Sequence, residues 1–106
     1  MPIPLFFLLP FLYRQSDTPV SIVFWHYYAD DRAVFWESLV EEFNASYAGE
    51  IQIQVQYYPS YDHQHDAILS GLLNGTVPDV ALVRPIDAAL YQLSGALVDL
   101  TPLIAA

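Results

Sequence analysis

Cysteine and lysine are both absent from this chain of 106 residues, and glycine occurs only four times. Without thiols there is no disulfide framework, no thiolate metal site, no thiol nucleophile and no cysteine to carry a lipid anchor. Without lysine the only cations are three arginines, set against twelve carboxylates for a formal net charge of −9. Such a chain repels phosphate backbones and anionic headgroups, which argues against nucleic acid as a partner. Neither common glycine-rich phosphate loop occurs, and neither does a strained serine elbow. A long hydrophobic run is missing too: Ile3 to Tyr13 is almost wholly apolar but about half the roughly 20 residues a bilayer span requires, and Pro10 interrupts it.

The length of that run suits the apolar region of a secretory signal, yet no basic segment precedes it and Arg14 lies on the wrong side. Residues 1–17 therefore read as a degenerate leader, the plainer alternative being a disordered apolar extension. The remainder, residues 18–106, is enough for one small domain and too little for two. A function that needs a cleft between lobes would have to draw on a partner or on further chain.

What the sequence does have is aromatic side chains, with eight tyrosines, six phenylalanines and two tryptophans. Most belong in a core, but the number also suits flat, partly apolar ligands such as sugar rings. Val20 to Trp25 reads as a buried strand, and Trp36, Leu39, Val40, Phe43 and Tyr47 follow at helical spacing. Asp30 or Asp31 caps that helix, which is expected to run to about Ala48 and close at Gly49. Ile51, Ile53 and Val55 alternate with glutamines, as in a strand near a sheet edge. A second helix, capped by Asp62, turns Ile68, Leu69, Leu72 and Leu73 inward and stops at Asn74 and Gly75, with Gly71 inside it costing about 1 kcal/mol relative to alanine. Val80 to Val83 has no alternation and reads as a central strand covered on both faces. Asp87 caps a short helix ending at Gly95, and Thr101 with Pro102 begins another whose completion would lie beyond Ala106. The order βαβαβα with a mostly parallel sheet makes this an α/β chain.

In such a sheet the loops after the strands share one edge, where ligands are held. Those loops carry His26, Tyr27 and Tyr28; Tyr58, Ser60 and Tyr61; and Arg84 and Asp87. Together they offer ring faces, hydroxyls and a guanidinium to a polyol. The plainer alternative packs Tyr28 and Tyr58 on helix ends and pairs Arg84 with Asp87 at the surface. His63 and His65 with Asp62 and Asp66 have poor spacing for a metal, since i and i+2 on a helix face different ways, and they read as a solvated first turn. Glu37, Glu41 and Glu42 read as a wet helix face. No metal, cofactor or catalytic residue is expected, and the chain is not expected to be an enzyme. A small hydrolase using His26 with Asp30 or Asp31 lacks a nucleophile.

The runs IVFWHYY, EEFNAS, YPSYDHQHDAILSGLLNGTVPDVALV and YQLSGALVDLTPLI, in this order, resemble the amino-terminal lobe of the family 1 extracellular solute-binding proteins, the sugar and glycerol-phosphate receptors of bacterial ABC importers. The likeness covers roughly residues 20–104. It implies part of lobe 1 of a periplasmic-binding-protein fold, truncated here, that is exported to the periplasm or outside the cell, is monomeric when full length, and closes on a sugar before presenting it to membrane permease subunits. By position it assigns ligand contact to Tyr61 and matches Trp25 and His26 to the end of the first strand. Where the glycerol-phosphate receptors place an acid after the third strand, this sequence has Pro85, so a neutral sugar or oligosaccharide fits better. The binding residues expected on both grounds are Trp25, His26, Tyr27, Tyr61, Arg84 and Asp87. A free-standing protein-interaction module with an aromatic edge is the competing class, and the downstream reading frame separates the two.

Overall fold

The computed structural model describes residues 18–104. The reading of residues 1–17 as a leader lies outside the described residues. Three strands, β1 (Val20–His26), β2 (Ile51–Tyr57) and β3 (Val80–Ala81), alternate with helices α1 (Asp31–Ser46), α2 (Tyr61–Asn74) and α3 (Pro85–Leu93), and a short α4 (Thr101–Ile104) follows. All strand pairings are parallel, in the order β2-β1-β3. The α/β architecture expected from the alternation is what the chain adopts.

The central strand is β1, not β3. The apolar run at Val80 pairs with Phe24 and Trp25 for two residues and then leaves the sheet. Val80, Ala81 and Val83 instead line an apolar groove of about 350 Å³ with Ile68, Leu72, Val77 and Leu97. An apolar groove wall and a doubly covered strand carry the same unbroken hydrophobicity, which is why the run misleads. The β1 to β3 ladder is extended by Asp79, whose amide donates to the Val23 carbonyl (2.9 Å) and whose carboxylate accepts from the Val23 amide (2.8 Å).

Strand β2 is an edge strand, as its glutamine face implied. Its free edge is closed by Asn44 of α1, which accepts from the Ile53 amide (2.8 Å) and donates to the Ile53 carbonyl (3.1 Å). One amide side chain thus satisfies both main-chain groups that a further strand would have taken. Asn44→Ala is expected to cost about 1–2 kcal/mol, because two hydrogen bonds of about 1 kcal/mol each are lost at a half-buried site. Urea unfolding of the variant checks this.

Helix ends obey local chemistry with shifts of a residue or two. Asp30 caps α1, its carboxylate accepting from the Arg32 amide at 3.0 Å, but the helix ends at Ser46 rather than Ala48. Ser60, not Asp62, caps α2 and accepts from the His63 amide at 3.2 Å. Pro85 opens α3 directly after Arg84, so Asp87 lies inside the first turn instead of capping it.

Because β2 and β3 flank β1 on opposite sides, crossovers of one hand place α1 and α2 on opposite faces of the sheet. Phe24 meets Trp36 of α1 at 5.4 Å between ring centroids. Trp25, the next residue on the pleat, meets Tyr58 at 5.0 Å. Among the described residues the buried apolar side chains are Phe24, Ile68 and Tyr91. Of the residues expected to face inward from α2, Ile68 is buried and Leu72 half-buried, while Leu69 is exposed and Leu73 is 91% exposed. Gln64 and Gly71 take the buried positions instead.

Candidate functional site

A parallel sheet whose connections leave one strand in opposite directions has a crevice at its carboxyl edge, between the two loops that diverge. Here that switch lies between β1 and β3. The loop after β1 carries Tyr27, and the segment after β3 carries Arg84. Tyr61, the first residue of α2, closes the third side.

These residues meet. Tyr27 contacts Tyr61 edge to face with centroids 5.1 Å apart. The Arg84 guanidinium places its carbon over the Tyr61 ring at 3.6 Å from the centroid. Its Nε donates to the Asp87 carboxylate at 3.0 Å, which leaves the terminal nitrogens of a half-exposed side chain free of that bond. Asp87 itself is buried; it anchors Arg84 more than it faces solvent. The Tyr61 ring thereby becomes a platform backed by a cation, and the cation is held by a carboxylate.

Two further residues support this cluster. His65 stacks on Tyr61 at 5.9 Å and shares a 2.6 Å hydrogen bond with the Tyr91 hydroxyl. Its Nδ1 also lies 3.9 Å from Asp87. Gln64 is wholly buried and donates to the Leu82 carbonyl at 2.7 Å, tying α2 to the chain that leads into Arg84. The reading of His65 as part of a solvated first turn is corrected, and Gln64 beside it is buried. The missed signal was spacing: Tyr61, Gln64, His65, Ile68 and Gly71 recur at three and four residues and form one helix face.

Electrostatics follow the packing. Burial raises the Tyr61 hydroxyl well above the usual tyrosine range, and raises Tyr27 and Tyr91 as well. The Tyr61 hydroxyl is enclosed near Asp87 and Tyr91 without a well-aligned hydrogen bond to either. Its dipole and the Arg84 guanidinium hold the Asp87 carboxyl below its ordinary value. Stability from that lowered Asp87 is therefore present above the usual carboxylate range and lost as pH falls through the depressed value.

Of the six residues expected at the site, the structure gathers Tyr27, Tyr61, Arg84 and Asp87. Trp25 stands against Tyr58 and is half-buried. His26 is elsewhere: only 2% exposed, it lies with Phe24 on the α1 side of the sheet, 5.7 Å from the Tyr57 ring. Its Nδ1 accepts the Tyr28 amide at 3.2 Å. The strand runs through His26, one residue beyond the expected end, so the pleat turns this side chain away from Tyr27.

Burial lowers the His26 pKa, with the Glu37 carboxylate opposing part of the effect. As pH falls through about 6.5 the unfolded chain takes up a proton that the folded ring refuses. Stability is thus complete above that pH and declines below it, by at most about 1.4 kcal/mol per pH unit for one proton. Thermal unfolding between pH 7 and 5 is expected to show this slope, and His26→Phe is expected to remove it.

Among the described residues no group of three or more His, Asp or Glu side chains is placed to hold a metal ion. No described helix is long and apolar enough to cross a membrane.

No family model matches the sequence. No curated protein matches it. Among solved structures, the chain is similar to the cyclic alpha-maltosyl-1,6-maltose binding protein from Arthrobacter globiformis, with a TM-score of 0.72 and 23% identity. The match covers 79% of this chain and 21% of that one, so the chain spans about a fifth of its length. At this identity the likeness establishes the fold: a three-stranded parallel α/β unit matching part of a periplasmic-binding-protein lobe.

Proposed function

We propose that residues 18–106 form the amino-terminal part of lobe 1 of an extracellular or periplasmic solute receptor. It binds a neutral sugar or related polyol and delivers it to the membrane permease subunits of an importer, without catalysis. Residues 1–17 are its degenerate leader. The observation that carries this reading is the convergence of Tyr27, Tyr61 and Arg84 on the crevice between β1 and β3. Rings for stacking and a guanidinium with free donors are what a hydroxylated ring requires. The fold shared with a maltosyl-maltose binding protein supports the same ligand class.

Charge favours a neutral ligand over a phosphorylated one. The sequence has no lysine. Both described arginines are tied to carboxylates, Arg84 to Asp87 at 3.0 Å and Arg32 to Asp30 at 2.9 Å. No unpaired cation among the described residues is left for a phosphate. Trp25 and His26 act from behind the rim, Trp25 by packing under the Tyr58 loop.

Half a cleft desolvates a sugar incompletely, so the chain alone is expected to give no saturable heat in micromolar calorimetry. Amide and ring chemical shifts at roughly 10–50 mM sugar, the weak regime that half a cleft implies, test the site. Shifts clustered at Tyr27, Tyr61 and Arg84 support it; no shift there with any hexose or disaccharide overturns it. The competing reading, a protein-interaction module, has one observation in its favour, the apolar groove beside β3.

A further inference from the structure

Arg84 does not hold the Tyr61 platform alone. The Tyr61 hydroxyl has no aligned partner, so the ring is placed by what touches it: Tyr27, Arg84 and, one turn along α2, the stacked imidazole of His65. His65 in turn reaches across to α3. Its Nδ1 lies 2.6 Å from the Tyr91 hydroxyl and 3.9 Å from Oδ1 of Asp87, while Arg84 holds the other carboxylate oxygen, Oδ2, at 3.0 Å. One carboxylate thus stands between a permanent cation and an imidazole, the side-chain type that changes charge between about pH 8 and 5.

The two charge states of His65 make different demands on these neighbours. In the neutral ring the Nδ1 lone pair can take the Tyr91 hydroxyl hydrogen. In the imidazolium both nitrogens are donors, so Tyr91 must turn its hydrogen elsewhere, and Nδ1 faces the Tyr91 oxygen and, after closing by about 1 Å, Oδ1 of Asp87. The other titratable groups around the ring are Tyr61 on its own helix, with Asp62 and Asp66 exposed beside it, and Arg84 from the α3 side. Asp87 stays ionised throughout an imidazole titration, since the Tyr61 dipole and the Arg84 guanidinium hold its carboxyl below the ordinary value. Two cations then share one carboxylate and one ring. Burial decides which yields: the side chains of Asp87 and His65 are 12% and 22% exposed, whereas that of Arg84 is 53% exposed and water can replace its pairing.

We infer that His65 is a proton-operated positioning residue for the rim. Neutral, it leaves Asp87 to seat Arg84 over Tyr61; charged, it draws Asp87 to itself and releases Arg84 to solvent. The inference adds regulation to the site proposed above and rests on that reading for its use, since a solute held by Tyr27, Tyr61 and Arg84 would bind more tightly at neutral than at acid pH.

The test follows the full 106-residue chain by nuclear magnetic resonance between about pH 7.5 and 5. No sugar is added, so this inference and the sugar reading can fail separately. The expected result is that the His65 ring protons and the Arg84 Nε–H resonance move with one common midpoint. Overhauser contacts from Arg84 to the Tyr61 ring should weaken about two- to fivefold, the scale of an exposed cation–π contact. Arg32, held by Asp30 at 2.9 Å, is the internal reference, and unmoved β2 amides confirm the fold. His65→Gln, which keeps a polar group for Tyr91 but cannot become charged, should leave Arg84 still across the range. Asp87→Asn should release Arg84 at every pH, and it carries the test if the His65 variant does not fold. An Arg84 resonance that stays put while His65 titrates overturns the inference, and so does one that moves equally in His65→Gln.

Discussion

Gly71→Ala is expected to destabilise the chain by about 2 kcal/mol, although alanine is the better helix former. The helix ends at Gly75, whose left-handed backbone (φ 76°) folds the following residues back over the last turn. The Thr76 amide then donates to the Gly71 carbonyl at 3.0 Å. A Cβ on residue 71 would press into the Thr76 carbonyl, closer than packed atoms allow, and would lie 3.2 Å from the Val77 side chain. The obstacle is backbone and cannot swing aside without opening the turn that feeds β3. Helix propensity gains about 1 kcal/mol from the substitution. Overpacking against a fixed backbone costs up to about 3 kcal/mol, so the clash wins. With only Phe24, Ile68 and Tyr91 buried among the apolar side chains of the described residues, little reserve absorbs such a loss. A lower urea midpoint is the expected measurement, and a gain of stability would show that α2 does not end as described.

Tyr61→Ala is expected to have the largest effect on the rim. Its ring is in contact with Tyr27, Arg84 and His65 simultaneously. Removing a fully buried aromatic costs about 3–5 kcal/mol, and for this half-buried one about 2 kcal/mol is expected. Arg84 also loses the face it rests on, worth about 0.5–1 kcal/mol. The variant should lose the sugar-dependent shifts at Tyr27 and Arg84 while the amides of β2 keep their native positions. Tyr61→Phe separates ring from hydroxyl: since the hydroxyl makes no well-aligned hydrogen bond, the change in stability should stay within about 1 kcal/mol. A Phe variant as damaged as the Ala variant would assign the role to the hydroxyl instead.

The alternation of strands and helices was legible because each element carries its own period and its own terminator. Asp30 before α1 and Gly75 after α2 are both where local chemistry puts them. Partnerships were harder to read. Val80 to Val83 is apolar for the sake of a groove, and nothing in the run distinguishes that from a doubly covered strand. His26 was grouped with Tyr27 because they are neighbours in sequence, yet one more residue of strand sends the two side chains to different faces. Asp87 resembled a cap, but a proline is at home in a first helical turn, and Pro85 starts α3 two residues earlier. Gln64 escapes notice and His65 is assigned to solvent because both are polar, and a helix face is usually traced by its apolar members.

The central claim is that Tyr27, Tyr61 and Arg84 form one sugar-facing rim. Intermolecular nuclear Overhauser contacts from sugar C–H protons to the tyrosine rings address it directly. Contacts to Tyr27 and Tyr61 together are the predicted result. Contacts confined to the apolar groove at Leu72, Val77 and Leu97, or none to either tyrosine, would contradict it.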